Sequence, residues 1–161
     1  MPDWGQYILR DSYFSIAQGQ IEGYSLVHVT GYNPDVDTGV DETVWTTGGF
    51  YPWSLWNSTR LITVVSTSAS DVGSVVVTGL DANYNPITEE IDFNGTTSGT
   101  GVVQFKRVNS AIYKDSGANN VGTITLTTNS TTVGLIEAGI GQTLNGIYTV
   151  PAGHTAYILC G

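Results

Sequence analysis

Two histidines, His28 and His154, are the side chains best suited to act as a general base near neutral pH. A hydrolytic triad would need one of them beside a nucleophile and an orienting acid. No Gly-x-Ser-x-Gly elbow accompanies either. His154 follows the tight Pro151-Ala152-Gly153 sequence, and His28 lies in the apolar run from Leu26 to Val29. One reads as a turn histidine and the other as a strand histidine. Glu89 and Glu90 are the chain's only Glu-Glu pair. Adjacent strand residues point to opposite faces, so the two carboxyls cannot flank one scissile bond. They read as part of a solvated strand. Phosphate-cradling glycine loops, CxxC pairs and HExxH motifs are absent from the sequence. These patterns give no catalytic residue and call for no cofactor.

Two clusters are suited to binding. In the run from Asn33 to Glu42, Asn33, Asp35 and Asp37 are spaced two apart, with Asp41 following. That spacing matches the first half of a calcium loop. The match then fails, because Thr38 stands where the loop needs Gly and Val44 where it needs a bidentate Glu. The competing reading is a loop whose side chains cap its own backbone N–H groups. The second cluster is aromatic: Trp45, Phe50, Tyr51, Trp53 and Trp56. Rings this dense cost solubility when exposed. They could form a sugar-stacking platform, an anchor pinning the N-terminal segment to the rest of the chain, or hot spots of an intersubunit contact.

The 161 residues suffice for one domain with a sizeable core. Only 12% are charged, so the polar surface must come from Thr, Ser, Asn and Gly, a composition suited to strands and turns. Acids outnumber bases 14 to 5, for a net charge of −9. Nucleic-acid binders place Lys and Arg on phosphates, and five scattered bases do that poorly. No apolar run reaches the roughly 20 residues of a membrane span, and the N-terminus lacks the pattern of a signal peptide. The expectation is therefore synthesis without export and no membrane or nucleic-acid partner. The single cysteine, Cys160, rules out a disulfide within the chain and reads as a small apolar residue. Sequons at Asn57, Asn94 and Asn129 fit chance in a chain this rich in Asn, Ser and Thr.

The composition shifts near Arg60. Eleven of the 17 aromatic residues precede Leu61, in a stretch without sustained periodicity. Residues 1–60 are expected to form an extended arm, packed on the body or on neighbours, with a short helix at most over Asp11–Gln18. Residues 61–161 read as the body. There, short β-branched runs alternate with Gly, Asn and Asp. The expected strands are Arg60–Thr67, Ser74–Leu80, Ile87–Phe93, Val102–Tyr113, Thr123–Thr128, Thr132–Ala138, Gly146–Val150 and Thr155–Cys160. The runs around Ile62–Val65 and Val75–Val77 are apolar on both faces and should sit centrally. Asn94-Gly95 suggests a type I′ hairpin turn. The fold class is all-β, an antiparallel β-sandwich of jelly-roll type with an aromatic-rich N-terminal segment.

Three blocks then become recognisable. The first is Tyr24-Ser25-Leu26-Val27-His28, Gly31, Asn33 to Gly39, Val44-Trp45 and Gly48-Gly49. The second is Thr78-Gly79-Leu80-Asp81-Ala82-Asn83-Tyr84, Asn94 to Thr97 and Arg107-Val108. The third is Tyr148 to Gly153 with Thr155-Ala156-Tyr157. Together, over roughly residues 20–160, the chain resembles the capsid decoration or cement proteins of tailed bacteriophages. The resemblance implies a non-enzymatic role on the outer capsid surface of the virion, with the major capsid protein as partner, and a homotrimer. Similar proteins often continue with further strands after the Pro-Ala-Gly-x-Thr-Ala-Tyr segment. The expectation here is a C-terminal strand that closes the sandwich or a partner chain that supplies the missing pairing. The competing function is a receptor- or carbohydrate-binding module of a phage fibre.

Overall fold

The computed structural model describes residues 14–115 and 119–158. They hold seven strands: β1 (Thr63–Ser66), β2 (Val72–Leu80), β3 (Pro86–Asn94), β4 (Gly99–Thr100), β5 (Arg107–Lys114), β6 (Ile124–Thr128) and β7 (Thr131–Ile136). A 3-10 turn spans Trp53–Asn57, and one helical turn covers residues 14–17. The first three residues of the expected Asp11–Gln18 helix lie outside the described residues. The strands form two antiparallel sheets, ordered β4-β1-β6-β7 and β3-β2-β5. The fold is a β-sandwich. A jelly roll divides eight strands between two sheets; the described residues divide seven as four and three.

Alternation along each strand sorts side chains between core and solvent. In β6, Ile124, Leu126 and Thr128 are buried while Thr125 and Thr127 are half-buried. The doubly apolar runs occupy interior strands, β1 between β4 and β6, and β2 between β3 and β5. The core joins Ile62, Val64, Val75, Val77, Phe105, Leu126 and their neighbours to Trp45, Tyr51 and Trp56 from the N-terminal third.

The two sheets meet at both flanks of the sandwich. On one flank β4 lies against β3, so close that a Cβ on Gly99 would collide with the Asp92 carbonyl. On the other, residues 141–145 run along β5: Tyr113 N–H donates to Gly141 O (2.8 Å) and Thr143 N–H to Ala111 O (2.9 Å). The same segment packs Thr143 and Asn145 against Gly134 of β7.

Several expected strands differ. Residues 102–106 form no strand, because there the chain crosses between sheets and pairs only locally, Phe105 with Arg60. Gly146–Val150 is also strand-free; Asn109 takes both the N–H and the carbonyl of Thr149 with its side chain. Residues 155–158 form no strand, and Cys160 lies outside the described residues. The two-residue turn after β3 is Gly95-Thr96, with Asn94 and Thr97 paired across it. Only Gly95 has positive φ, which fits type II′ and not I′. The residues with paired positive φ are Asn129 and Ser130, between β6 and β7.

Glu89 corrects the solvated reading of the Glu pair. It lies on the inward face of β3 with Ile87, Ile91 and Phe93, and is 9% exposed. Its Oε1 accepts from the N–H groups of Val102 (2.5 Å) and Val103 (3.0 Å). Its Oε2 is buried without a hydrogen-bond partner. Glu90 does face solvent, bonded by Ser74 Oγ (2.6 Å) and paired with Lys114 Nζ (3.4 Å).

Candidate functional site

The acidic loop is organised around Glu42. Its Oε2 accepts from Asn33 Nδ2 (2.8 Å) and Gly49 N–H (3.0 Å), and its Oε1 from Asp37 N–H (3.2 Å). The Asn33 bond, followed by those of Gly49 and Asp37, holds the Glu42 carboxyl below its ordinary range against the opposing effect of desolvation. Asn33 Oδ1 accepts from Asp35 N–H (2.9 Å), closing an Asx-turn. Asn33 is thus committed at both ends to the protein, while Asp35, Asp37 and Asp41 are exposed. Among the described residues, no group of three or more His, Cys, Asp or Glu is placed to hold a metal ion. The arrangement is that of a self-capping loop.

The aromatic cluster divides in two. Trp45, Tyr51 and Trp56 are buried, at 3% exposure or less. Trp45 meets Tyr51 edge-on at 5.1 Å, and its Nε1 donates to Gly48 O (2.8 Å). Trp56 Nε1 donates to Tyr51 OH (3.1 Å), and burial pushes the Tyr51 hydroxyl up to about 12. These three rings tie residues 45–56 to the sandwich and present no surface to a partner. Phe50 and Trp53 remain 72% and 49% exposed. Trp53 rests edge-on against Tyr51 at 4.7 Å, so a buried ring braces an exposed one.

A basic corner adjoins them. The sequence reads its bases as scattered, yet Arg60, Lys106 and Arg107 converge on the end of the Trp53–Asn57 turn. Arg60 Nε donates to Leu55 O (2.7 Å), Lys106 Nζ to Asn57 O (2.9 Å) and Arg107 Nη1 to Trp56 O (3.0 Å). Cations at the carbonyl end of a helical turn offset its unpaired acceptors. Arg107 also lies over the Tyr84 ring, 5.6 Å from its centroid. Among the described residues the one carboxylate ion pair is Lys114–Glu90, so none of these three cations has an acid within bonding distance there. Lys106 and Arg107 lie 46 and 47 positions from Arg60 in sequence, and no local pattern reveals the convergence.

A third feature is residues 24–32, which form no strand or helix. Tyr24, Leu26, Val27, Val29 and Tyr32 are 40–62% exposed. The segment leaves a groove of about 420 Å³ between itself, the end of β2 and the middle of β5, with His28 at its lining. His154 sits instead in an exposed turn, its Nδ1 3.0 Å from Ala152 O. No protein-family model, curated protein or solved structure matches the chain.

Proposed function

We propose that this chain is a non-enzymatic decoration protein that binds the outer surface of an assembled bacteriophage shell, against the major capsid protein, and stabilises it. The observation that carries the reading is the run of exposed apolar side chains on residues 24–32, fixed to the body where Tyr32 N–H donates to Leu144 O. Contiguous exposed apolar surface marks an interaction site. The resemblance of the sequence blocks to those of cement proteins, Tyr24 to His28 among them, suggests the identity of the surface that is bound. The acidic balance suits an outward position.

The mechanism is mass action. A ligand that binds only the assembled shell shifts assembly equilibria toward it. A permanent contact buries on the order of 2,000 Å² or more, beyond what one short segment offers, so several copies or a wider footprint must share the work.

Mixing the protein with shells assembled without it, then sedimenting and counting bound copies, tests the proposal. Saturable binding that raises the shell's disassembly temperature, and that Leu26→Asp abolishes, is the expected result. Absence of binding to shells overturns it. Exposed Phe50 and Trp53 would then favour the carbohydrate- or receptor-binding module, read out by quenching of Trp53 fluorescence on host-surface glycans.

A further inference from the structure

The charges of this chain are segregated. No Lys or Arg stands between Arg10 and Arg60, whereas Asp35, Asp37, Asp41 and Glu42 fall within that interval. Three of the five basic residues of the chain meet at the corner of Arg60, Lys106 and Arg107. The two regions are linked through residues 48–57. Glu42 is bonded to Gly49, and Asp35 lies against Gly48. Phe50 follows directly, and Trp53 opens the turn whose carbonyls the cations bind. The order along this link is acids, exposed aromatics, then the carbonyls that the bases hold.

A surface that carries apolar rings between opposite charges is complementary to itself. We infer that it is the contact between two copies of this chain, the acidic loop of one meeting the basic corner of the next with Phe50 and Trp53 packed between. Three observations select a second copy as the occupant. The cations already hold backbone carbonyls and so are fixed in place, yet have no carboxylate within bonding distance among the described residues. The acids Asp35 and Asp41 are exposed, and no ion pair among the described residues engages them. The rings have the amphipathic character favoured at hot spots, while the remainder of the chain is strongly acidic and would repel a like copy in any other orientation. The inference concerns free protein and does not depend on shell binding.

Light scattering and sedimentation velocity on the purified full chain test it. The expected result is an assembly at low ionic strength that dissociates toward single chains as salt rises, because screening shortens the reach of charges to about 8–10 Å near physiological strength. Lys106→Glu, and separately the Asp35→Lys, Asp41→Lys pair, should each sediment as single chains with unchanged circular dichroism. Mixing the two variants keeps the native acidic loop against the native basic corner at one end of the contact, sets the introduced lysines opposite the introduced glutamate at the other, and should restore the assembly. A wild-type chain that stays single at every concentration and salt overturns the inference. So do variants that assemble like wild type, or a mixture that fails to reassemble. Shell binding lost in Lys106→Glu while the wild-type chain stays single would assign the basic corner to the shell instead, and would leave the proposed function standing.

Discussion

Gly31 and Gly146 cross backbone to backbone: a Cβ on Gly31 would lie 2.7 Å from the Gly146 Cα and 2.8 Å from the Val44 carbonyl oxygen. The crossing is stapled on both sides, by Tyr32 N–H to Leu144 O (3.0 Å) and Gly146 N–H to Val44 O (2.7 Å). These bonds seat the exposed apolar segment on the body. Gly31→Ala should force the two chains apart and cost about 1–3 kcal/mol, the usual scale of overpacking. Urea denaturation measures the loss. Limited proteolysis should show faster cleavage within residues 24–30, and wild-type cleavage rates would refute the clamp.

Asp71 joins distant parts of the body. It is 1% exposed and accepts from Ser66 Oγ (2.5 Å), Val121 N–H (2.7 Å) and Gly122 N–H (2.9 Å). Burial alone would raise its carboxyl, but these three donors outweigh it and hold the carboxyl below the ordinary value. Asp71→Asn turns one acceptor into a donor facing donors. The expected loss is about 1.5–3 kcal/mol, the range for a hydrogen bond to a charged group, read from the urea midpoint.

The same carboxyl sets an acid limit. A folded-state pKa below the unfolded one contributes stability that is full above the unfolded value and is lost as pH falls through the folded value. Asp71 is joined in this by Asp81, held down first by its backbone bond from Asn85, and by Glu90, held down first by Ser74. The melting temperature should therefore change little, through these groups, from neutrality down to about pH 4, the ordinary carboxylate range, and decline below it. Asp71→Asn should show a shallower decline. An unaltered slope in that variant would show that Asp71 does not contribute.

The aromatic pair Trp56 and Trp53 should separate stability from binding. Trp56 is 1% exposed in the core, and Trp56→Ala should cost about 3–5 kcal/mol. Trp53→Ala, at the surface, should stay near ±0.5 kcal/mol while weakening association. Equal destabilisation by both would mean that Trp53 serves the core.

Glu89 offers a different contrast. Glu89→Gln keeps an oxygen for the N–H groups of Val102 and Val103 and should preserve most of the stability. Glu89→Leu strands both donors, at about 1–3 kcal/mol for each buried group left unpaired. Denaturation of the two variants side by side would decide it, and equal losses would argue against the capping role.

Sequence pattern located most of the sheet interior, because β3 and β6 carry alternation in their own residues and β1 and β2 carry runs apolar on both faces. It missed β4, two residues in a Gly-Ser-Thr stretch with no apolar signal. It placed strands at 102–106 and 146–150, where β-prone residues serve a crossover and a side-chain clamp. It assigned Glu89 to solvent because a carboxylate on an inward face is legible only once its N–H donors, 13 and 14 residues away, are known. At the candidate surface, residue types picked out the aromatics but not their division, since Trp53 and Trp56 differ only in which way a 3-10 turn faces them. The basic corner arises from chain crossing and has no local signature.

The occupied β5 edge carries a consequence for behaviour in a crowd. An open strand edge is a template on which further chains can stack into a fibril. Residues 141–143 occupy the β5 edge through Tyr113 N–H to Gly141 O and Thr143 N–H to Ala111 O, so among the described residues that side of the three-stranded sheet offers no such template. In a chain rich in Val, Ile and Thr, that blocked edge turns encounters between copies at β5 toward side-chain contact.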